Sequence, residues 1–137
     1  MSVVLYLDTS VVLRAVLERG VSPELEQRIG EARVLITSRL ALVEAARALL
    51  RMRHDAALRE EVLADAAREM DSIWARCAIW ELTAAVCELA AQVAPQKPLR
   101  TLDALHLATY LLARRHLGSD VEMLTADRRL EEAAAAE

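Results

Sequence analysis

The sequence predicts an α/β fold with three layers (α/β/α), in which a central parallel sheet lies between two layers of helices. Short apolar segments alternate along the chain with longer stretches of helical periodicity, and this alternation is typical of a parallel sheet. The length of 137 residues suits a single domain over residues 1–137, which can bury roughly 70% of its unfolded surface. The 55% share of hydrophobic residues excludes a disordered chain.

The first half of the chain is predicted to contain two strands and four helices. The strands are short apolar runs that include β-branched residues, at residues 3–7 and 34–37. The helices follow from their periodicity and from the residues that begin and end them. They are expected at residues 11–19, at residues 22–30 behind an N-cap at Ser22, at residues 38–52, and from a cap at Asp55 to residue 75.

The second half is predicted to contain two further strands. One lies around residues 79–80, where the apolar run is short, and the other covers residues 121–124. Helices are expected at residues 83–94, at residues 101–116 and from residue 127 onward. Ligands of such folds bind beyond the carboxyl ends of the strands, where the strand order reverses. Asp8 and Asp127 each come just after a predicted strand, which is the first functional clue.

Composition and charge exclude several classes of protein. The 3% of aromatic residues, without any Phe, argues against an aromatic platform for single-stranded nucleic acid, and the net charge of −4 argues against a broad basic surface. No apolar run approaches the roughly 20 residues of a membrane span, and the start does not resemble a signal peptide. Cys77 and Cys87 are not a CxxC pair and are predicted to be reduced core residues, so we expect a cytoplasmic protein.

Three aspartates each have a structural explanation as well as a functional one. Asp8 and Asp127 can be helix N-caps, since Asp is a favoured cap. Asp103 lies in a helix that is apolar on nearly every side; with Thr101 as the cap, it occupies the first turn, where the helix dipole favours a carboxylate. A buried carboxylate still needs a partner, and only Arg100 and His106 are near it in sequence.

Glu44 lies on the predicted helix at residues 38–52, and two interpretations of it stay open. Helical spacing places Leu42, Ala46 and Leu49 toward the core, and Glu44, Arg47 and Arg51 on the opposite sector. On that basis Glu44 is a surface acid paired with Arg47. Its immediate neighbours are more apolar than those of a solvated glutamate, which favours a functional role.

The four acids together favour a cation site. Two carboxylates about 5 Å apart repel each other by roughly 3 kcal/mol at an effective dielectric of about 20, so a cluster of four needs a positive charge. Clusters with oxygen ligands alone suit Mg²⁺ or Mn²⁺ and not Zn²⁺.

The motifs around these acids resemble those of the PIN-domain family, and in particular VapC-type ribonuclease toxins of toxin–antitoxin pairs. The resemblance covers nearly the whole chain and rests on Asp8-Thr9-Ser10, on Glu44, on the TLDALHLA segment at residues 101–108 and on the LTADRRL segment at residues 124–130. It implies that Asp8, Glu44, Asp103 and Asp127 are the catalytic acids, with Asp8, Asp103 and Asp127 as ligands of Mg²⁺ or Mn²⁺. It also implies that Thr9, Ser10 and Thr125 support the site and that His106 is a packing residue.

The same resemblance implies a function and partners. The protein is expected to be an endoribonuclease in which water attacks the RNA phosphodiester, so that the products carry 5′-phosphate and 3′-hydroxyl ends. A VapB-like antitoxin is expected to lay a C-terminal segment across the acidic crevice. Independently of the resemblance, a homodimer is expected, because a small domain rich in Ala and Leu has helix faces to cover. The sequence departs from the family in one respect. The family commonly adds a short strand after the terminal helix, and no such strand is predicted in residues 1–137.

The residues also leave two rival functions open. One is a phosphatase or phosphotransferase with Asp8 as nucleophile, although haloacid-dehalogenase-like enzymes have a second Asp where this chain has Ser10. The other is a noncatalytic binding module whose acids are only caps. For contacts to the RNA backbone, the sequence suggests four arginines: Arg14, Arg39, Arg47 and Arg128.

Overall fold

A four-stranded parallel sheet forms the centre of the protein. The computed structural model describes residues 3–18, 20–118 and 120–137. Within these ranges the strands are β1 (Val4–Leu7), β2 (Val34–Ser38), β3 (Cys77–Trp80) and β4 (Val121–Leu124), in the order β3-β2-β1-β4. Every neighbouring pair is parallel, and Val4 of β1 lies opposite Val34 of β2 and Val121 of β4. The four predicted strands and the parallel sheet are therefore confirmed.

Helices cover both faces of this sheet. The described residues form α1 (Thr9–Leu17), α2 (Pro23–Glu31), α3 (Arg39–His54), α4 (Glu60–Arg76), α5 (Ala84–Ala90), α6 (Thr101–Leu117) and α7 (Arg128–Ala136). The first four pack on one face, and α5, α6 and α7 pack on the other. The predicted three-layer α/β/α arrangement is confirmed.

Two hydrophobic cores result from the alternation of side chains along the strands. Leu5 and Leu7 of β1 belong to the core beneath α1–α4, whereas Val4 and Tyr6 belong to the core beneath α5–α7. All four residues are buried, which agrees with the continuous apolar run in the sequence. β1 is an interior strand of the sheet, so both of its faces are covered.

Two helix boundaries differ from the prediction. Asp55 does not cap the fourth helix; it ends α3, because its amide donates to Arg51 O at 2.9 Å and the following Ala56 adopts a left-handed φ of 52°. Helix α5 ends at Ala90, four residues before the predicted end, and the positive φ of 49° at Ala94 excludes that residue from the helix. A left-handed residue cannot continue a right-handed helix.

The prediction that both cysteines are core residues is wrong for one of them. Cys77 is partly buried against the first core, and burial raises the pKa of its thiol to about 11. Cys87 is exposed on α5. In the described residues, no helix combines the length and apolar character needed to cross a membrane.

Candidate functional site

The carboxyl edge of the sheet brings the predicted acids together. Asp8 follows β1 directly, and Asp127 follows the neighbouring strand β4 after two residues. The Asp8 amide donates to Leu124 O at 3.2 Å, which ties the two strand ends to each other. The sequence argument that parallel strand ends would place these two aspartates at one edge is thus confirmed for their backbone.

Asp8 is held by hydroxyl groups from both strand ends. Its Oδ1 accepts from Ser10 Oγ at 2.6 Å and from the Val11 amide at 3.3 Å, while Oδ2 accepts from Thr125 Oγ1 at 2.6 Å. Ser10 Oγ in turn accepts from the Ala126 amide at 2.9 Å. Asp8 is therefore an N-cap, as its structural explanation required, and at the same time the centre of a network between β1 and β4.

Glu44 does not pair with Arg47. Its Oε1 accepts from Thr9 Oγ1 at 2.6 Å and lies 2.7 Å from His106 Nε2, and its side chain is only 23% exposed. The reason is that the buried face of α3 differs from the predicted one: Ala46 is exposed, and the buried residues are Ala41, Ala45, Ala48 and Leu49. This rotation turns Glu44 toward α1 and α6.

The environment of Glu44 lowers its pKa. Burial alone would raise the pKa of this carboxyl, but the hydrogen bonds from His106 and Thr9 and the charge of His106 outweigh that effect. An ionised carboxylate only accepts hydrogen bonds, so Nε2 of His106 carries a proton. This environment therefore favours the charged form of Glu44.

His106 is buried, as predicted, and it is also a hydrogen-bond bridge that sequence reasoning missed. Its Nδ1 lies 2.8 Å from Tyr6 Oη, and the two rings meet edge to face with 6.0 Å between their centroids. Tyr6 lies in β1 and is fully buried. A tyrosine in a buried strand has a hydroxyl group that needs a hydrogen-bond partner. Tyr6 in the predicted strand was therefore the sequence signal that could have indicated the Tyr6–His106–Glu44 chain.

Asp103 lies in the first turn of α6, next to Asp127. The N-cap of α6 is Arg100 in an extended conformation and not Thr101, which is the first helical residue; no side chain caps this helix. Burial raises the pKa of Asp103, and the negative charges of Asp127 and Asp8 raise it further against the opposing charges of His106 and Arg100. Asp103 is therefore close enough to Asp127 and Asp8 to feel their negative charges.

These acids fit a hard divalent cation by their chemistry. All are oxygen donors, which Mg²⁺ and Mn²⁺ prefer. In the part of the chain that the structure describes, no three Asp, Glu, His or Cys side chains form a ligand cluster as they stand. Both oxygens of Asp8 are engaged by hydroxyls, and Asp127 Oδ1 accepts from the Arg129 amide at 2.9 Å. A carboxylate oxygen has two lone pairs, so the same carboxylate can keep these hydrogen bonds and bind a cation.

Most of the arginines suggested for RNA contacts already have acidic partners. Arg14 pairs with Glu18 at 3.1 Å, Arg39 with Glu81 at 2.7 Å and Arg128 with Glu132 at 3.6 Å. Arg47 is exposed on α3. A phosphate group would have to compete with a carboxylate at three of these four positions.

Comparison with known proteins identifies the family. A family model described as PIN domain matches residues 5–136. The chain belongs to the PIN domain family. Among curated relatives, Ribonuclease VapC45 of Mycobacterium tuberculosis is 41% identical over 76 residues, which are 56% of this chain and 53% of that protein. The chain thus spans about half the length of the curated relatives it matches.

Solved structures show the same PIN fold over nearly the whole chain. One is VapBC2 from Rickettsia felis, whose crystal structure contains a DNA fragment from the VapBC2 promoter. It is 12% identical with a TM-score of 0.67, and the match covers 95% of this chain and 92% of that chain. VapC20 of Mycobacterium tuberculosis, a toxin that cleaves the sarcin–ricin loop, is 16% identical with a TM-score of 0.64 and covers 94% of each chain. At these identities the likeness concerns the fold.

Proposed function

We propose that this protein is a VapC-type endoribonuclease, the toxin of a toxin–antitoxin pair, that hydrolyses RNA with Mg²⁺ or Mn²⁺. Asp8, Glu44, Asp103 and Asp127 are its catalytic acids in this proposal. The observation that carries it is that Asp103 of α6 and Asp127, which follows β4, line one depression, and that the pKa of Asp103 is raised by burial and further by the charges of Asp127 and Asp8. The likeness to a relative named Ribonuclease VapC45 supports the choice of RNA as substrate.

Asp8, Asp103 and Asp127 would hold the metal ion, which supplies positive charge beside the phosphate and lowers the pKa of water. Ser10 and Thr125 orient Asp8 through their hydroxyls. Glu44, kept ionised by Thr9 and His106, would accept a proton from the attacking water. Because water attacks and not the 2′-hydroxyl, the products carry 5′-phosphate and 3′-hydroxyl ends.

The second candidate is a noncatalytic binding module. It is favoured by the fact that Asp8 and Asp127 both cap helices, with side chains that accept from the Val11 and Arg129 amides. It does not account for Glu44 or Asp103, neither of which caps a helix. A phosphatase with Asp8 as nucleophile has less support, because both oxygens of Asp8 already accept hydroxyl hydrogen bonds.

Metal-dependent cleavage of RNA separates these candidates. Purified protein is incubated with end-labelled RNA in Mg²⁺, in Mn²⁺ and in EDTA, and the product ends are tested for 5′-phosphate and 3′-hydroxyl. We expect cleavage with either metal, none in EDTA, and none by Asp103→Asn. Full activity of a folded Asp103→Asn protein at saturating Mg²⁺ would contradict the assigned site.

Two further parts of the proposal concern assembly. A VapB-like antitoxin is the expected protein partner, in line with the fold shared with VapBC2. A homodimer is expected, and exposed Val43 and Leu50 on α3 offer apolar surface for it. Light scattering over a range of concentrations tests the dimer, and a monomer throughout would contradict it. The single domain over residues 1–137 and the cytoplasmic location stay predictions.

A further inference from the structure

A groove with exposed basic residues leads away from the acidic edge. Asp103 and Asp127 line a small depression of about 110 Å³ together with Arg100 and Arg129. A second depression of about 390 Å³ adjoins it, shares Pro98, Leu99 and Arg129 with it and extends to Lys97 and Glu132. We call the continuous surface formed by residues 97–100 and Arg129 the basic groove.

Its three cations differ from the arginines that the sequence suggested. Lys97, Arg100 and Arg129 are exposed, and none of them belongs to an ion pair among the described residues. The acid at the outer end, Glu132, pairs with Arg128. Arg100 is attracted by the charge of Asp103, but a ligand phosphate in the basic groove would meet Lys97 and Arg129 without breaking an ion pair among the described residues.

The backbone of the basic groove is held in place. The Lys97 amide donates to Ala94 O at 3.0 Å, closing a turn. Pro98 follows and restricts the chain further, while the Leu99 side chain packs against the core beneath α5–α7. Holding Lys97 on a fixed backbone reduces the conformational entropy lost when a ligand binds.

We propose that the basic groove binds the phosphate backbone of single-stranded RNA and leads it to the carboxylates at Asp103 and Asp127. The inference rests on the proposed function. A chain with a net charge of −4 and an acidic centre repels RNA, so cations beside that centre are needed to hold the phosphates next to the reacting one. Contacts to phosphates carry no sequence information, so the basic groove positions RNA and does not select its sequence.

The test measures RNA binding apart from cleavage. A fluorescent single-stranded RNA is titrated with protein in EDTA at several salt concentrations, and anisotropy gives the binding constant. The double variant Lys97→Gln/Arg129→Gln removes two cations but leaves Arg100, which neighbours Asp103. The matched control Arg33→Gln/Arg53→Gln also removes two exposed arginines; Arg33 precedes β2 at the opposite edge of the sheet, and Arg53 is in the last turn of α3.

We expect the slope of log K against log salt to become shallower by about 0.7 for each lost phosphate contact, and so by about 1.4 in the double variant. At about 0.1 M salt this corresponds to about 25-fold weaker binding. The control should keep the wild-type slope. Thermal unfolding with and without Mn²⁺ should match wild type in both variants, and the two single variants replace the double one if it does not fold.

Two results would overturn the inference. One is that the double variant binds RNA as tightly as the control variant does. The other is that an acidic polyglutamate peptide binds the wild-type protein as tightly as RNA does and loses as much affinity in the double variant. The proposed function fails in a different way. If wild type binds RNA with the expected dependence but does not cleave it in Mg²⁺ or Mn²⁺, the nuclease assignment is wrong and the basic groove stands. If wild type cleaves RNA but the double variant and the control have the same slope of log K against log salt, only the role of the basic groove is wrong.

Discussion

The acidic edge has two halves that satisfy their carboxylates differently. In the bonded half, Asp8 and Glu44 accept hydrogen bonds from Ser10, Thr125, Thr9 and His106 at 2.6–2.7 Å. In the open half, Asp103 and Asp127 lie together in a small depression, with the cations of the basic groove at its rim. The pKa of Glu44 is lowered and that of Asp103 is raised.

This difference shows how one protein keeps several carboxylates close together. In the bonded half, hydroxyl groups and the His106 ring hold the carboxylates at fixed positions, and at Glu44 these hydrogen bonds favour ionisation. In the open half, burial and the neighbouring acids make the charge of Asp103 costly. A cation would relieve the open half far more than the bonded half.

The largest expected effect is the loss of RNA cleavage when either half loses a charge. Asp8→Asn and Asp103→Asn should each lower kcat/KM by about a hundredfold or more, because the charge that a metal ion supplies is worth several kcal/mol. The measurement is cleavage of labelled RNA at saturating Mn²⁺. A variant of the open half that keeps wild-type activity would show that only the bonded half takes part.

The next effect is on the free energy of unfolding and concerns His106. His106→Leu removes the hydrogen bond between His106 and the buried Tyr6 Oη and one of the two hydrogen bonds to Glu44, which keeps the one from Thr9; we expect a loss of about 1–3 kcal/mol. His106→Gln keeps a donor for Glu44 and should recover part of the loss. Urea unfolding of both variants checks this, and equal stabilities would mean that His106 only fills space.

Replacing each aspartate by asparagine should change stability in opposite directions in the two halves. In Asp8→Asn, the new NH₂ group faces the hydroxyl of Ser10 or Thr125, so two hydrogen-bond donors meet. We expect the free energy of unfolding to fall by about 1–3 kcal/mol. Asp103→Asn relieves repulsion from Asp127 and Asp8, so the metal-free protein should be as stable as wild type or more so. Chemical unfolding in EDTA distinguishes the two. A matching loss in both variants would remove the distinction between the halves.

The smallest expected effect is the pH dependence of stability in the metal-free protein. Because the folded-state pKa of Asp103 is raised above its usual 3.8, its stabilising contribution is present at low pH and is lost as pH rises through the folded-state value. The pKa of Glu44 is lowered below 4.5, so its contribution is present above 4.5 and is lost as pH falls through the folded-state value.

Unfolding free energies between about pH 3 and about pH 7 check this comparison. Asp103→Asn should gain stability relative to wild type as pH rises, and the cost of Glu44→Gln should shrink as pH falls. Parallel pH curves for wild type and both variants would contradict the two opposite shifts.

Much of the fold followed from local patterns in the sequence. The four strands, their parallel arrangement and the positions of Asp8 and Asp127 after strands were all predicted, because a buried strand needs an apolar run and a helix start favours a small polar cap. Boundaries failed near residues with a left-handed backbone: Ala56 follows the end of α3, and Ala94 lies within the stretch predicted to be helical but beyond the end of α5. Neither residue is a type that marks such a turn.

What the sequence by itself determined is the sheet, its carboxyl edge and the acids at its strand ends, since each depends on neighbours along the chain. Only the tertiary structure decided the partners of Glu44, because α3 is rich in alanine and its pattern does not select the buried face. It also decided the contact between Tyr6 and His106, which are 100 positions apart. The basic groove arises in the same way, where the loop before α6 meets the first turn of α7.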